Sequence, residues 1–191
     1  HVGGFPLLME RLWLAGRTEP FPVHGNSAAL GQVQRLDGAF DTASWPDYPA
    51  LDLFLVPELE REHVLSTSDF TVYASPGKHA VPCIGLRVET ATGAVLAYSG
   101  DTGWTDQLVE CARDADVFLC EATWCAGEGD FPPDMHLTGV EAGRAARLAG
   151  AKRLIIVHIP PWGDEEATLA AARAEYDGPI EVGHPGQVIE F

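Results

Sequence analysis

Two stretches of this chain, residues 117–120 and 154–157, are apolar at every position, and they limit the fold more than any other feature. A strand with one wet face alternates apolar and polar residues, so unbroken apolar strands belong to a sheet covered on its faces. Helical patterns flank them. Residues 105–113 precede the first, an alanine-rich run over 138–149 closed by Gly150 separates the two, and 164–176 follows the second. This alternation places the chain in the α/β class, with helices packed on the sheet.

The front of the chain mixes element types. Apolar residues recur at helical spacing over 5–14, with Pro6 in the first turn. A short extended run over 20–23 ends at His24-Gly25, and Asn26 or Ser27 caps a helix carrying Leu30, Val33 and Leu36. Strands are expected at 51–56, 70–74, 84–89 and 94–98, the last two forming a hairpin through Ala91-Thr92-Gly93. His63 lies in an acidic stretch read as mobile. A strand at 180–182 precedes a last hairpin turning at Pro185-Gly186.

At 191 residues the chain is long enough for one well-cored domain, expected over 1–191. Its net charge of −16 argues against a broad grip on a nucleic-acid backbone, which needs clustered cations. A small anionic substrate remains compatible, because a metal ion reverses the local field. No apolar run reaches bilayer-spanning length. Cys83, Cys111, Cys120 and Cys125 show no CxxC spacing and read as reduced thiols of a cytoplasmic protein. The chain opens His1-Val2-Gly3-Gly4, without an initiator Met, like the middle of a protein.

Residues able to carry chemistry gather at the expected strand ends. Asp101 follows an apolar run in Leu96-Ala97-Tyr98-Ser99-Gly100-Asp101-Thr102-Gly103, where glycines on both sides allow a sharp turn; a helix-capping aspartate is the plainer alternative. His79 lies in the Pro76-Gly77-Lys78-His79 loop, where an exposed histidine is a serious rival. His158 ends an apolar strand, where an unpartnered imidazole would cost about 1–3 kcal/mol, so a partner is expected. His136 follows Pro132-Pro133-Asp134 and reads equally as the start of a helix. Glu121 ends another strand and either orients a histidine or caps a loop. Trp124 and Trp162 follow strand ends and wall a pocket or join the core. His24, His63 and His184 are read as structural, His24 being near enough to a strand end to line a pocket. Imidazoles and a carboxylate converging on one sheet edge are the usual supply for a metal site. No GxSxG elbow, GxxxxGK[ST] or strand-borne GxGxxG is present.

Taken together, these motifs resemble the metallo-β-lactamase superfamily. His1-Val2-Gly3-Gly4 is similar to the end of its HxHxDH signature, and His79-Ala80-Val81-Pro82 to its next ligand histidine. Tyr98-Ser99-Gly100-Asp101-Thr102 resembles its bridging-aspartate motif, and Val157-His158 its final ligand. Within the superfamily, Leu119-Cys120-Glu121-Ala122-Thr123 and His136-Leu137-Thr138 resemble the HEAT and HST loops of the ribonuclease Z-like branch, with Cys120 where HEAT has histidine. Asp106-Gln107-Leu108, the segment from Pro132 to Leu137, and His158-Ile159-Pro160-Pro161-Trp162 look closest to actinobacterial cyclic-nucleotide phosphodiesterases.

The resemblance implies a four-layer αββα sandwich of which this chain is the C-terminal two-thirds to three-quarters, its first strands and the HxHxD ligands missing. It implies metal ligands at His1, His79, Asp101 and His158, with Asp101 bridging, catalytic roles for Asp101 and His136, and supporting or pocket roles for Glu121, Thr138, Trp124 and Trp162. Two Zn²⁺ ions are expected in the complete protein, Mn²⁺ or iron being alternatives. In this chain the site left with only His79 and Asp101 is expected to be empty, and the isolated polypeptide to fold poorly. The implied reaction is attack of metal-bound hydroxide on a small phosphodiester such as a cyclic nucleotide. The rivals are a tRNA 3′ endonuclease, disfavoured by the acidic charge, a lactonase or thioesterase, and a non-catalytic remnant. The expected assembly is a cytoplasmic homodimer with no membrane contact.

Overall fold

A computed structural model of the chain describes residues 2–57, 61–127, 129–132 and 134–191. The chain divides into two compact units, residues 1–57 and 58–191.

The first unit runs α1 (Phe5–Leu14), β1 (Phe21–Gly25), α2 (Ser27–Gly38), a 3-10 turn (Thr42–Ser44) and β2 (Leu51–Leu55). Pro6 occupies the first turn of α1, where its missing N–H is not needed. Asn26 caps α2 by accepting from the Ala29 N–H at 2.8 Å. β1 and β2 pair in parallel, Phe21 opposite Leu51, so α2 is the crossover that a parallel pair requires. Trp13 packs against Trp45 at 5.1 Å between centroids and donates Nε1–H to the Pro46 carbonyl at 2.9 Å.

The second unit is one seven-stranded sheet in the order β3 (Glu62–Ser66), β4 (Phe70–Pro76), β5 (Ile84–Thr90), β6 (Val95–Tyr98), β7 (Val117–Glu121), β8 (Leu154–Val157) and β9 (Ile180–Val182). β3 to β6 pair antiparallel, and β6 to β9 pair in parallel. The parallel strands are joined through α3 (Asp106–Cys111), α4 (Gly139–Ala149) and α5 (Glu165–Arg173). Ala97, Phe118, Cys120, Leu154 and Ile156 from the sheet join Leu108, Ala142, Ala145, Ala146, Ala149 and Ala172 from the helices in one buried cluster. The alanines of α4 allow close approach. A Cβ on Gly143 would stand 2.3 Å from the Ala172 carbonyl oxygen of α5.

Two expectations need correction. His63 lies on β3, opposite Tyr73 of β4, rather than in a mobile stretch; edge pairing, with the His63 ring against Tyr73, orders a sequence whose polarity reads as loop. The last hairpin is absent among the described residues: a turn forms at Pro185-Gly186, but no strand follows. Val188 there is 85% exposed, so the apolar residues of the tail do not pack beside β9 and no strand is held there.

The topology fixes where a site can form. β4 and β6 are each antiparallel to β5, so the C-terminal ends of β4, β6, β7 and β8 share one sheet edge. Ligand sites of parallel sheets lie at that carboxyl edge.

Candidate metal centre

The centre is built from the segments leaving those strands. After β6 the chain turns through Gly100 at φ +62°, where a Cβ would lie 2.5 Å from the Ile84 carbonyl oxygen. Only glycine meets both demands. The turn is tied to its neighbours: Ser99 Oγ accepts from the Glu121 N–H at 2.9 Å, and Thr102 Oγ1 accepts from the Lys78 N–H at 2.8 Å. Asp101 is thereby held at the edge, half-buried.

Asp101 Oδ1 stands 3.6 Å from His158 Nδ1. Two donors about 2.0–2.2 Å from one tetrahedral ion lie roughly 3.4 Å apart, so this pair fits a shared cation in both spacing and chemistry. His158 has a left-handed backbone, φ +60°, which turns the chain as it leaves β8. Its Nδ1 meets Thr123 Oγ1 at 2.8 Å, the partner that its place at an apolar strand end demands; an ion on Nδ1 would replace that contact, and the Thr123 hydroxyl would keep the His158 carbonyl at 3.3 Å.

Behind this pair lies a carboxylate–imidazole couple. Glu121 is fully buried. Its Oε1 accepts from the Thr102 N–H at 2.8 Å and from His136 Nδ1 at 2.7 Å. Its Oε2 accepts from the N–H groups of Thr123 and Leu137 at 2.9 and 3.3 Å. The donor atoms of Glu121, His136 and His158 lie within 4.8 Å of one another, close enough to hold an ion. With four donors already on its oxygens, however, Glu121 is better suited to orienting His136 than to ligation. A carboxylate only accepts, so His136 carries its proton on Nδ1 towards Glu121 and presents Nε2 as its other ring nitrogen.

His79 completes the imidazole group, its ring edge-on to His136 at 4.9 Å between centroids, while His136 and His158 are 5.6 Å apart. Trp124 meets His136 edge-on at 4.9 Å and stacks on Phe131 at 4.5 Å and 14°. The Tyr98 hydroxyl is held above its ordinary pKa by burial, with the Asp101 and Glu121 carboxylates adding to it. Beneath the site, burial and then the Glu121 charge push the Cys120 thiol well above its ordinary value, so it is chemically quiet.

The structure thus brings Asp101, Glu121, His136, His158, His79 and Trp124 together. His1 lies outside the described residues. Thr138 is committed elsewhere: its hydroxyl accepts from the Glu141 N–H and donates to Glu141 Oε2, a capping box that starts α4. Trp162 stands past β8 and is 86% exposed. Thr123 and Phe131 were missed by sequence reasoning. Thr123 had a legible signal, a hydroxyl two residues beyond the strand-ending glutamate.

Against known proteins, the model of the Beta-lactamase superfamily domain matches residues 1–159. The chain belongs to the beta-lactamase superfamily. It has the α/β metallo-β-lactamase fold. Superfamily relatives include an uncharacterized protein of Mycobacterium leprae, 40% identical over 164 residues, which are 84% of this chain and 51% of the relative. The probable metallo-hydrolase YhfI of Bacillus subtilis is 27% identical over 172 residues, 88% of this chain and 64% of its own. The crystal structure of YhfI superposes with a TM-score of 0.80 at 23% identity, covering 100% of this chain and 73% of its own. Human tRNase Z, short form, superposes at 0.70 and 20% identity, covering 100% and 74%. This chain spans about half the length of the mycobacterial relative. Among the described residues no helix is long and apolar enough to cross a membrane.

Proposed function

We propose that the chain carries the rim of a metal-dependent hydrolase that cleaves a small phosphodiester, such as a cyclic nucleotide. The observation that carries this reading is the pairing of two devices on one sheet edge: Asp101 and His158 at 3.6 Å, and Glu121 and His136 at 2.7 Å beside them. In this reading Asp101 and His158 hold a divalent ion, with His79 adjoining, and Zn²⁺, Mn²⁺ or iron suits such ligands. A bound ion there supplies Lewis-acid polarisation and an activated water.

The chain's own residues do the rest. Glu121 fixes the tautomer and plane of His136, leaving Nε2 to hold a proton for the departing oxygen. Thr123 steadies His158 by donating its hydroxyl to the His158 carbonyl at 3.3 Å, which leaves Nδ1 for the ion.

A second reading, cleavage at the 3′ end of tRNA, is favoured by the likeness to human tRNase Z. The net charge of −16 opposes it, because gripping an RNA backbone relies on clustered Lys and Arg.

The test is an activity panel on the full chain loaded in turn with Zn²⁺, Mn²⁺ and Fe²⁺, covering cyclic nucleotides, tRNA precursor, a lactone and a thioester. The reading predicts turnover of cyclic nucleotides far above the rest, with kcat reduced about 10²–10⁴-fold in His136→Ala. Preferential cleavage of tRNA precursor would replace it with the second reading.

A further inference from the structure

Next to the centre lies a cavity of about 560 Å³, lined by Thr123, Trp124, Phe131, Pro160, Trp162 and Asp164 among others. Its volume is that of a small-molecule site. It lies between the segments leaving β7 and β8, and two of its wall residues also touch the centre. Thr123 lines it and meets His158 Nδ1 at 2.8 Å. Trp124 lines it and meets the His136 ring at 4.9 Å.

The chemistry of the walls selects the occupant. Trp124 and Phe131 stack face to face, within 14° of parallel, so the pair offers a ligand an outer ring face on which a third flat ring could continue the stack. Trp162 contributes a second indole that is 86% exposed, so its surface is available to a ligand. Among the described residues no Lys or Arg lines the cavity, and the carboxylate that does is Asp164. An anionic group is therefore unsuited to it, whereas a flat, neutral ring is suited, and an exocyclic amine on that ring would find an acceptor in Asp164. Asp164 uses Oδ1 to cap the Ala167 N–H at 3.0 Å, and a carboxylate has a second oxygen to offer.

We infer that this cavity is a nucleobase subsite: it stacks the base of an amine-bearing nucleotide on Trp162 and the Trp124–Phe131 pair, and so directs the phosphodiester to the Asp101–His158 edge. This inference rests on the phosphodiesterase reading for its catalytic consequence, but not for binding itself. Stacking on aromatic side chains is sequence-tolerant and sensitive to alanine substitution. The subsite therefore sets specificity for nucleotides over phosphodiesters that lack a ring.

Two measurements on the full chain test it separately from that reading. Calorimetric titration with adenosine, which has no phosphate, should show binding that ribose does not, weakened about tenfold or more in Trp162→Ala. In turnover, the ratio of kcat/KM for cyclic AMP to that for a base-free cyclic ribose phosphate should fall by a similar factor in Trp162→Ala, chiefly through KM. Because Trp162 is so exposed, the variant keeps its fold. Adenosine binding no better than ribose, or binding unchanged in Trp162→Ala, would overturn the subsite whatever the activity. Adenosine binding that needs Trp162, with no phosphodiester turned over, would support the subsite and reject the phosphodiesterase reading.

Discussion

His136 Nδ1 lies 2.7 Å from Glu121 Oε1, and the same carboxylate accepts backbone N–H groups from the turn after β6, the exit of β7 and the approach to α4. One buried charge thus ties the imidazole to three segments of the second unit. Glu121→Gln replaces an acceptor oxygen with an NH₂ group facing donors. The variant should lose about 1–3 kcal/mol of unfolding free energy and a large part of kcat, while keeping its metal. Denaturant unfolding and elemental analysis check both, and a Gln variant of unchanged stability would contradict the satisfied-carboxylate account.

The backbone of His158 makes a sharper comparison. At φ +60° any side chain with a Cβ pays a steric penalty that glycine avoids. His158→Gly and His158→Ala both remove the imidazole, so both should lose activity. The glycine variant should nevertheless be the more stable by about 1 kcal/mol. Paired thermal melts decide it; equal stability would mean that the backbone relaxes when the ring is gone.

Gly100 gives the opposite case. Its φ of +62° and the 2.5 Å approach of the Ile84 carbonyl to a notional Cβ leave no room for alanine. Gly100→Ala should cost about 2–4 kcal/mol and displace Asp101. The expected signature is a lower unfolding midpoint with reduced metal affinity.

Burial pushes the Cys111 thiol up to about 11, with Arg87 opposing. A raised folded-state pKa means that the native state holds its proton longer than the unfolded chain. The contribution to stability is therefore intact below the ordinary thiol pKa of about 8.5 and is lost as pH rises through about 11. Alkylation near neutral pH should spare Cys111 and Cys120 in the folded chain, as peptide mapping by mass spectrometry would show. Rapid labelling of Cys111 in the native state would contradict the packing of α3 on the sheet.

Much of the second unit was legible because its strands and helices obey strong local rules. Leu154–Val157 has the bounds that its apolar run predicts, Ile180–Val182 those that its Ile-Glu-Val alternation predicts, and α4 starts at a capping box and stops at Gly150. β3 was illegible because Glu62–Ser66 carries no apolar alternation; its order comes from pairing with β4. At the site, residues at strand ends could be read off as candidates, since a polar side chain closing an apolar run needs a partner. Which partner it finds depends on register between strands far apart in sequence. Thr123 reaches His158 because Glu121 pairs with Val157, and that register has no local signal. Thr138 looked like a pocket residue by motif, yet the Glu141 three positions on commits it to the helix. The Trp124–Phe131 stack was likewise invisible, since the loop between them has no periodicity.

The central claim is that Asp101 and His158 hold one ion between them. Elemental analysis of the full chain purified with and without Asp101→Ala, His158→Ala and His136→Ala tests it most directly. The account predicts that the first two variants lose metal together with activity, while His136→Ala keeps its metal and loses turnover. Metal retained at wild-type stoichiometry in both Asp101→Ala and His158→Ala would contradict it.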